Sequence, residues 1–449
     1  MSIQKNQEYI VDIGFEGEGI AKIDNFTIFI PGTIKGEKVR VLIVKVLSSH
    51  GFGKIVEIIE KSQARQDVDC NTYKRCGGCN LRHVKYEETL KMKQNAVQSL
   101  VNKTLKNKLQ VRETVGMENP LHYRNKAQYP IGINKQGEPV IGVFANRTHE
   151  VIPIDNCLIQ NKKSEEIAKF IIEFIKEKNI SIYDEKTGKG LVRHIVTKVG
   201  IKTGEIMCVI VINGHKIPNE NELVENLKTR YPEIKAIVKN INMKNTNVIL
   251  GQENINLYGN GYIEDILGEY KFKISPLSFY QVNPVQAEKL YNLGVSMAEI
   301  TKNDVVFDLY CGIGTISLFM SKFAKKVYGI EIVEEAVKMA KENAQNNNVS
   351  NTEFFAGDVE IVLDDLINNK GLKADVVMFD PPRKGLDKKS IDNILNIRPK
   401  KIVYISCNPA TLIRDLADFE NEYDIKTIIP VDMFPFTSHV ECVATLQLK

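Results

Sequence analysis

Short apolar runs separated by glycine fill the first 60 positions of the chain. Runs such as EYIVDIGF, FTIFIPG and KVRVLIVKVL are rich in alternating β-branched residues, and the turns EGEG and SSHGFG lie between them. Alternation of this kind is typical of half-buried strands. Several such strands in succession predict a small closed, OB-like β-barrel over residues 1–61, an architecture that often binds single-stranded nucleic acid.

After this region, the spacing of apolar residues changes from that of a strand to that of a helix. Within the segment 87–108, an apolar stripe is surrounded by basic residues, which predicts an amphipathic helix. The stripe consists of Leu90, Val97, Leu100 and Val101. Farther along, strand-like runs flank the helical stretch SEEIAKFIIEFIKEKN. We therefore predict a central α+β domain over residues 62–270, with the basic helix able to pack on the domain that follows it.

From about Lys271 the pattern is one of strands alternating with helices. This alternation is typical of an open, mostly parallel sheet. We predict an α/β domain of the class I (Rossmann-like) type over residues 271–449. Ligands bind such sheets at the carboxyl ends of the strands, so the residues at those ends are the candidates for a site.

Composition and charge narrow the possible locations and partners. The 449 residues carry a net charge of +4 and contain no apolar run long enough to span a membrane. No signal-like apolar core follows the first residues, so we expect a cytoplasmic protein whose clustered cysteines serve metal binding or catalysis. Residues 70–126 contain 12 Lys and Arg against 4 Glu. Such a stretch fits a surface that faces a polyanion, or simply a solvated lysine-rich surface.

A strand, a glycine turn and a helix start in VVFDLYCGIGTISLFM predict a cofactor site. Gly312 and Gly314 permit a tight turn, but Ser317 stands where a dinucleotide fingerprint has its third glycine. Glu331 ends the next strand, where a carboxylate accepts hydrogen bonds from ribose hydroxyls, and Asp358 ends a third, suited to an adenine amino group. The set favours S-adenosylmethionine over a nicotinamide dinucleotide.

Three further strand ends carry reactive side chains. Asp380 precedes two prolines that stop its strand, Cys407 follows the strand KIVYIS, and Glu441 begins a late strand. Cys407 alone reads equally well as a buried structural residue. Beside a methyl donor, however, a thiolate that adds to C6 of uracil makes C5 nucleophilic, and a carboxylate then removes the C5 proton. The competing Asp-Pro-Pro-Tyr pattern of amino-group methylation is absent, because Arg383 follows the prolines.

Five motifs in the last third of the chain resemble those of the RNA uracil-5-methyltransferases. They are SPLSFYQVN, DLYCGIGTISL, FDPPRKGL, ISCNPATLIRD and PFTSHVECVATL. The resemblance implies that Cys407 is the nucleophile and Glu441 the base that removes the proton. It also implies that S-adenosylmethionine is bound by Gln281, Tyr310, Glu331 and Asp380, with Asp380 near the target base.

A second group of cysteines lies in CNTYKRCGGC. Cys70, Cys76 and Cys79 are spaced C-x5-C-x2-C, and Cys157 supplies a fourth thiol. Four thiolates suit an iron–sulfur cluster or zinc, and the spacing alone leaves both open, as well as neither. The arrangement resembles that of the ribosomal-RNA branch of the family, which implies a [4Fe-4S] cluster. VDIGFEGEGIAKID resembles the TRAM domain with which that branch begins.

The resemblance predicts a monomeric enzyme that converts one uridine of 23S ribosomal RNA to 5-methyluridine. The expected partner is RNA, and neither DNA nor a membrane. Two alternatives stay open at this point: a transfer-RNA uracil-5-methyltransferase, and a non-catalytic RNA-binding iron–sulfur protein on a retained methyltransferase fold.

Overall fold

A computed structural model describes residues 5–134, 136–145, 148 and 150–449 of the chain. These residues form two compact units, each built from several stretches of sequence. The first unit comprises residues 1–73, 78–117 and 378–449 as far as they are described. The second unit comprises residues 74–77 and 118–377. The predicted boundaries 1–61, 62–270 and 271–449 remain a prediction.

Six strands and one long helix make up the N-terminal part of the first unit. They are β1 (Lys5–Tyr9), β2 (Asp12–Ile13), β3 (Gly19–Ile23), β4 (Phe26–Ile30), β5 (Lys38–Val46), β6 (His50–Glu60) and α1 (Tyr86–Thr104). The strands are ordered β1-β5-β6-β4-β3-β2, and only β4 and β6 run parallel. Their apolar alternation buries a small core that includes Ile10, Ile28, Ile30, Val39 and Val41, as the period of two predicts.

The central α+β region belongs to the second unit. Its elements are β7 (Lys126–Ile133), β8 (Pro139–Phe144), β9 (Val151–Pro153), α2 (Lys162–Glu177), β10 (Val192–Val199), β11 (Ile206–Ile212), α3 (Glu220–Arg230), β12 (Ile234–Ile241) and β13 (Glu253–Tyr258). The strands form one mixed sheet in the order β13-β12-β11-β10-β7-β8-β9. Helices α2 and α3 contribute their apolar faces to the core of this sheet.

The second unit continues into the first half of the α/β region. Its elements are β14 (Ile263–Leu267), β15 (Tyr270–Ile274), α4 (Pro284–Ala298), β16 (Val305–Leu309), α5 (Thr315–Ser321), β17 (Lys326–Glu331), α6 (Glu334–Asn346), β18 (Thr352–Ala356) and α7 (Val359–Asp364), which a π-helical turn (Asp365–Asn369) extends. β16, β17 and β18 are parallel neighbours. Their carboxyl ends therefore share one edge, where the predicted cofactor residues lie.

The last elements return the chain to the first unit. They are β19 (Val376–Phe379), which is divided between the units after Val377, then α8 (Lys388–Ile397), β20 (Lys401–Ser406), α9 (Pro409–Phe419), β21 (Tyr423–Val431) and β22 (Glu441–Leu448). β22 pairs antiparallel with both β20 and β21. Parallel strands that end in an antiparallel strand pair give the α/β Rossmann-like arrangement that the alternating pattern predicts.

Helix α1 packs on α9 and β21 within the first unit. Its buried face consists of Thr89, Lys93, Val97 and Val101. In the parts of the chain described above, none of the helices combines the length and the apolar character that crossing a membrane requires.

Candidate active site

Cys407 directly follows β20, in the turn that leads into α9. Asn408 caps the helix, because its side chain accepts a hydrogen bond from the amide of Ala410 at 3.1 Å, and Pro409 occupies the first helical position. The Asn408 amide group also donates to the carbonyl of Arg383 at 3.1 Å. The Asn-Pro pair therefore fixes where the strand ends, and with it the position of the half-buried thiol.

The loop that follows Asp380 is held by α9. Asp415 accepts a hydrogen bond from the backbone amide of Leu386 at 2.9 Å, and Arg414 donates to the carbonyls of Lys384 and Leu386 at 3.0 and 3.2 Å. Helix α9 thus begins two residues after Cys407, and its side chains support the Asp-Pro-Pro-Arg loop. Two segments that lie about one strand–helix unit apart in sequence are fixed against each other.

Asp380, Cys407 and Glu441 lie within electrostatic range of one another. Burial first, and then the Asp380 carboxylate, raise the pKa of Glu441 to about 8, while Arg383 opposes the shift. Burial likewise raises the pKa of Asp380 to about 7. The pKa of Cys407 rises to about 11, first through burial and then through the negative charges of Glu441 and Asp380, again with Arg383 opposing. The structure therefore brings a thiol, two carboxyl groups and one guanidinium together.

Glu441 begins β22 directly after the loop 432–440, which α1 and the preceding segment hold at several points. Asp432 forms a buried ion pair with Lys93 and accepts a hydrogen bond from the Tyr86 hydroxyl at 2.7 Å. Lys93 also donates to the carbonyl of Phe434 at 3.2 Å. Since Lys93 is only 2% exposed, this member of the basic stretch 70–126 does not face a polyanion.

Asn80 forms hydrogen bonds with the later part of the loop 432–440. The amide of Ser438 donates to its side-chain oxygen at 2.8 Å, and its side-chain nitrogen donates to the Ser438 hydroxyl at 3.0 Å and to the carbonyl of Glu16 at 2.6 Å. The backbone amides of Asn80 and Leu81 donate to the carbonyl of Phe436. Phe436 adopts a left-handed conformation with φ of 63°, which these contacts hold in place.

The turn between β16 and α5 has the tight geometry that its glycines predict. Tyr310, Gly312 and Gly314 all have positive φ, of 65°, 55° and 79°. A β-carbon at Gly314 would lie 3.0 Å from the Phe354 ring, so the helix start packs closely against β18, whereas a β-carbon at Gly312 would meet only open space. The backbone at Gly312 is thus accessible to a ligand.

Glu331 lies beside this turn. Its carboxylate accepts hydrogen bonds from the amides of Gly312 at 3.1 Å and Val333 at 2.9 Å. Ile332 and Val333 follow it and leave 63% and 54% of their surface exposed, although both are apolar. A carboxylate for ribose hydroxyls, an apolar surface for an adenine ring and an open glycine backbone together fit S-adenosylmethionine.

The segment 275–283 is fixed by Lys198 of β10 and by Asn125, which directly precedes β7. Lys198 donates to the carbonyls of Ser275 and Ser278 at 2.7 and 2.9 Å, and Asn125 donates to the carbonyl of Gln281 at 3.0 Å. Phe279 lies 74% exposed two residues before Gln281. The buried amino group of Lys198 has its pKa lowered to about 7, by burial and by the charge of Lys126.

Asp358 has a structural partner in addition to its predicted role. Its side chain caps α7 by accepting a hydrogen bond from the amide of Glu360 at 2.9 Å. The prediction that Asp358 also binds the adenine amino group rests on its position alone and remains untested.

The predicted metal ligands are divided between the two units. None of the eight cysteines, all of which lie in the described part of the chain, forms a disulfide. Cys70 and Cys79 belong to the first unit, and Cys76 and Cys157 to the second. All four are half-buried. Among residues 5–134, 136–145, 148 and 150–449, no cluster of three or more His, Cys, Asp or Glu is arranged to hold a metal ion.

Three residues of the site carry no prediction from the sequence. Arg383 was noted only as the residue after the prolines, and its charge now acts on both Cys407 and Glu441. Lys93 lies four residues before Val97 on the buried face of α1, and this spacing is the signal that could have revealed its burial. Asn80 has no recognisable local signal, since its partner is far away in sequence.

Comparison with known proteins identifies related RNA methyltransferases. A family model described as tRNA (Uracil-5-)-methyltransferase matches residues 85–449, and a TRAM domain model matches residues 9–56. An uncharacterized RNA methyltransferase of Clostridium acetobutylicum is 49% identical to this chain, over 99% of this chain and 98% of that protein. Another, from Caldanaerobacter subterraneus, is 46% identical over 99% of each.

A solved structure shows a similar fold over almost the full length. The crystal structure of a Pyrococcus abyssi tRNA (uracil-54, C5)-methyltransferase in complex with S-adenosyl-L-homocysteine is 26% identical, with a TM-score of 0.77. The match covers 98% of this chain and 100% of that one. Together with the match of the family model over most of the sequence, it confirms the fold predicted from the sequence. The chain belongs to the tRNA (uracil-5-)-methyltransferase family and is an S-adenosylmethionine-dependent RNA methyltransferase with an N-terminal TRAM domain.

Proposed function

We propose that the enzyme methylates C5 of one specific uridine in 23S ribosomal RNA through a covalent Cys407 adduct. The observation that carries the proposal is the group of Asp380, Cys407 and Glu441, in which Glu441 is buried and each carboxyl group has a raised pKa. C5 of uracil is a poor nucleophile, so its methylation requires activation by a nucleophile and a base. This group contains both.

Cys407 supplies the nucleophile. The Cys407 sulfur forms a bond to C6 of the flipped uracil, and the electron pair of the C5–C6 double bond moves toward O4. The thiol proton must first pass to solvent water, and the raised pKa of Cys407 opposes this in the free enzyme. Arg383 favours the thiolate. A neutralised carboxyl pair favours it as well, because the charges of Glu441 and Asp380 add to the effect of burial in raising the thiol pKa.

Glu441 completes the turnover. S-adenosylmethionine, when bound, supplies the methyl group to C5. The Glu441 carboxylate then removes the proton from C5, the C5–C6 double bond reforms, and the bond between C6 and the Cys407 sulfur breaks. A carboxyl group with a pKa near the working pH is suited to exchanging a proton in this way. Gln281, Tyr310, Glu331 and Asp380 would hold the methyl donor.

The second part of the proposal concerns which class of RNA is methylated. The resemblance to the ribosomal-RNA branch supports 23S ribosomal RNA, and the second candidate is transfer RNA, the substrate class named for the Pyrococcus abyssi enzyme. The test is mass-spectrometric mapping of 5-methyluridine in both RNA classes, after treatment with the protein and S-adenosylmethionine. Methylation in 23S ribosomal RNA, absent with Cys407→Ala, is expected. Methylation confined to transfer RNA would select the alternative, and none in either class would overturn the proposal.

We also propose that Cys70, Cys76, Cys79 and Cys157 hold a [4Fe-4S] cluster, with zinc as the alternative. The support is the resemblance and the chemistry of four half-buried thiols without disulfides. Iron, sulfide and zinc are measured in protein purified without oxygen, with the absorption spectrum as the second readout. About four irons per chain, reduced in Cys157→Ser, is the expected result. Stoichiometric zinc, or neither metal, would contradict it. A monomeric state and a cytoplasmic location remain predictions.

A further inference from the structure

A cleft of about 920 Å³ lies in the central α+β region of the second unit. It is bordered by the ends of β7 and β8, by the start of β10 and by the segment 182–186. This volume is large enough for a nucleotide, since small-ligand pockets typically measure about 300–1,000 Å³. None of the residues to which a catalytic or cofactor role has been given lines it.

Aromatic and guanidinium groups line the cleft. The Arg193 guanidinium lies 4.2 Å from the centre of the Tyr183 ring. The rings of Phe144 and His194 meet edge to face, with their centres 6.3 Å apart. Unstacked RNA bases bind proteins chiefly by stacking on aromatic rings and on guanidinium planes. The surface of the cleft is therefore of the kind that accepts a base.

Two buried polar atoms in the cleft have no partner. Arg193 and His194 are only 3% and 4% exposed. In the described part of the chain, Nε of Arg193 and Nδ1 of His194 make no hydrogen bond. Buried polar atoms without a partner are rare in native proteins. Burial and the neighbouring Arg193 lower the pKa of His194 to about 4, so its ring is neutral and offers one donor and one acceptor.

The rim of the cleft carries basic groups. Arg75 pairs with Glu150 at 2.6 Å, Lys186 is exposed, and the acidic Asp184 and Glu185 also line the cleft. Cys76, next to Arg75, forms a β-bridge with Ala145, one residue after the end of β8. The middle of the cysteine-rich segment thus helps to form the rim. Two cations beside aromatic side chains fit a nucleotide, because the cations can contact its phosphate while the rings contact its base.

We propose that this cleft binds one unpaired nucleotide of the RNA substrate, separate from the uridine that is methylated. The proposal rests on the activity proposed above, because it presupposes an RNA substrate. The base stacks on Phe144 and approaches the neutral His194, while Arg75 and Lys186 contact the adjoining phosphates. The Arg193 guanidinium instead shapes the cleft, because it is bound to the carbonyls of Asn242 and Lys244 and to Glu185. A second nucleotide held in this way selects RNA in which two bases are unpaired.

Ultraviolet crosslinking of the full chain to RNA tests this directly. The probe is deproteinised total RNA from cells that lack the gene, and mass spectrometry identifies the peptides that carry a nucleotide. We expect crosslinked peptides that contain Phe144 or Tyr183, together with others from the catalytic region. Crosslinks in the catalytic region with none in these two peptides would overturn the proposal.

Substitutions give the second measurement. Phe144→Ala is expected to weaken binding of the same RNA about tenfold, by loss of one stacking surface. Lys186→Glu, at an exposed position, is expected to weaken it severalfold. Lys216→Glu, an equal change of charge at an exposed position outside the cleft, is the matched control and should bind normally. Equal weakening by both lysine variants would contradict a specific cleft.

Methyl transfer by the unaltered protein is measured on the same RNA. Methylation without crosslinks in the cleft overturns the second nucleotide site alone. If methylation is absent as well, the proposed activity itself fails.

Discussion

The two compact units bury ionisable groups of opposite sign next to the segments that carry the site. The first unit buries the carboxyl groups of Asp380 and Glu441, and burial raises the pKa of Glu441 to about 8. The second unit buries the amino group of Lys198 against two backbone carbonyls, and burial lowers its pKa to about 7. Both surroundings favour the neutral form. Each unit therefore bears a group that titrates near neutral pH, and the two should respond to pH in opposite directions.

The largest expected effect is on turnover. Glu441→Gln removes the base, so release of the product should fall by about a thousandfold, within the range typical for loss of a general base. Addition of Cys407 and methyl transfer do not need this carboxylate as a base. RNA joined covalently to the protein should therefore accumulate, as seen on a denaturing gel after incubation with S-adenosylmethionine. Cys407→Ala in the same assay should give neither product nor adduct. Equal loss of adduct in both variants would remove Glu441 from the release step.

The stability of the same Glu441→Gln variant tests the expected pH response of the first unit. A glutamate whose folded pKa is raised stabilises the protein below its unfolded pKa, and this advantage is lost as pH rises to about 8. Glutamine does not titrate. The unaltered protein should therefore lose stability relative to the variant between about pH 4.5 and 8, by an amount on the order of a few kcal/mol. Urea unfolding at pH 5, 7 and 9 measures the difference, and a constant difference would mean that Glu441 is not buried as described.

Lys198→Met tests the pH response of the second unit, which should have the opposite sign. The folded pKa of Lys198 is lowered to about 7, so its stabilising contribution is present above the unfolded value and is lost as pH falls toward 7. The unaltered protein should gain stability relative to this variant as pH rises from 7 to 10, with a slope of at most about 1.4 kcal/mol per pH unit. Lys202→Met, at an exposed lysine near by, should show no comparable slope. The same trend with pH in Lys198→Met and Glu441→Gln would break the comparison.

Asn80→Ala should have the smallest effect. It removes three hydrogen bonds at the exposed edge of the loop 432–440, which are together worth roughly 1 to 3 kcal/mol. We expect faster hydrogen exchange at the amide of Ser438 and a severalfold lower turnover, with cofactor binding unchanged. Asn102→Ala, on the exposed face of α1, is the control. Unchanged exchange at Ser438 in Asn80→Ala would show that the side chain of Asn80 is not needed to hold the loop, and that the backbone hydrogen bonds to Phe436 and the contacts of Lys93 and Tyr86 are enough.

The strand ends of the site could be predicted from the sequence because a parallel sheet brings its carboxyl ends to one edge. Gly312, Gly314 and Glu331 lie together in the second unit as that rule requires, and the glycines have the positive φ that their turn predicts. Cys407 and Glu441 likewise lie within electrostatic range in the first unit. Their roles remain proposals. Their placement, however, follows from the sheet topology, which the hydrophobic period and the turn residues of the sequence predict.

The remaining contacts could not be predicted because they join distant segments without a local pattern. Lys93 and Asp432 are partners across 339 positions, and Asn80 and Ser438 across 358. Only the folded chain shows that a basic residue in a basic stretch is buried, or that the central sheet leaves a cleft beside Phe144 and His194. The cysteine motif remains a prediction, because its spacing allows a metal site and no group of three or more metal-binding side chains is found among the described residues.

The attachment of the loop 432–440 to residues 80–93 limits how such enzymes can be recombined. A catalytic domain transplanted without its N-terminal partner would keep the carboxylate of Asp432 but lose the amino group of Lys93 that neutralises it. An unpaired charge left in a protein interior typically costs several kcal/mol. A chimera that exchanges RNA-binding regions should therefore carry residues 80–93 over with the catalytic domain, so that its junction lies before Asn80.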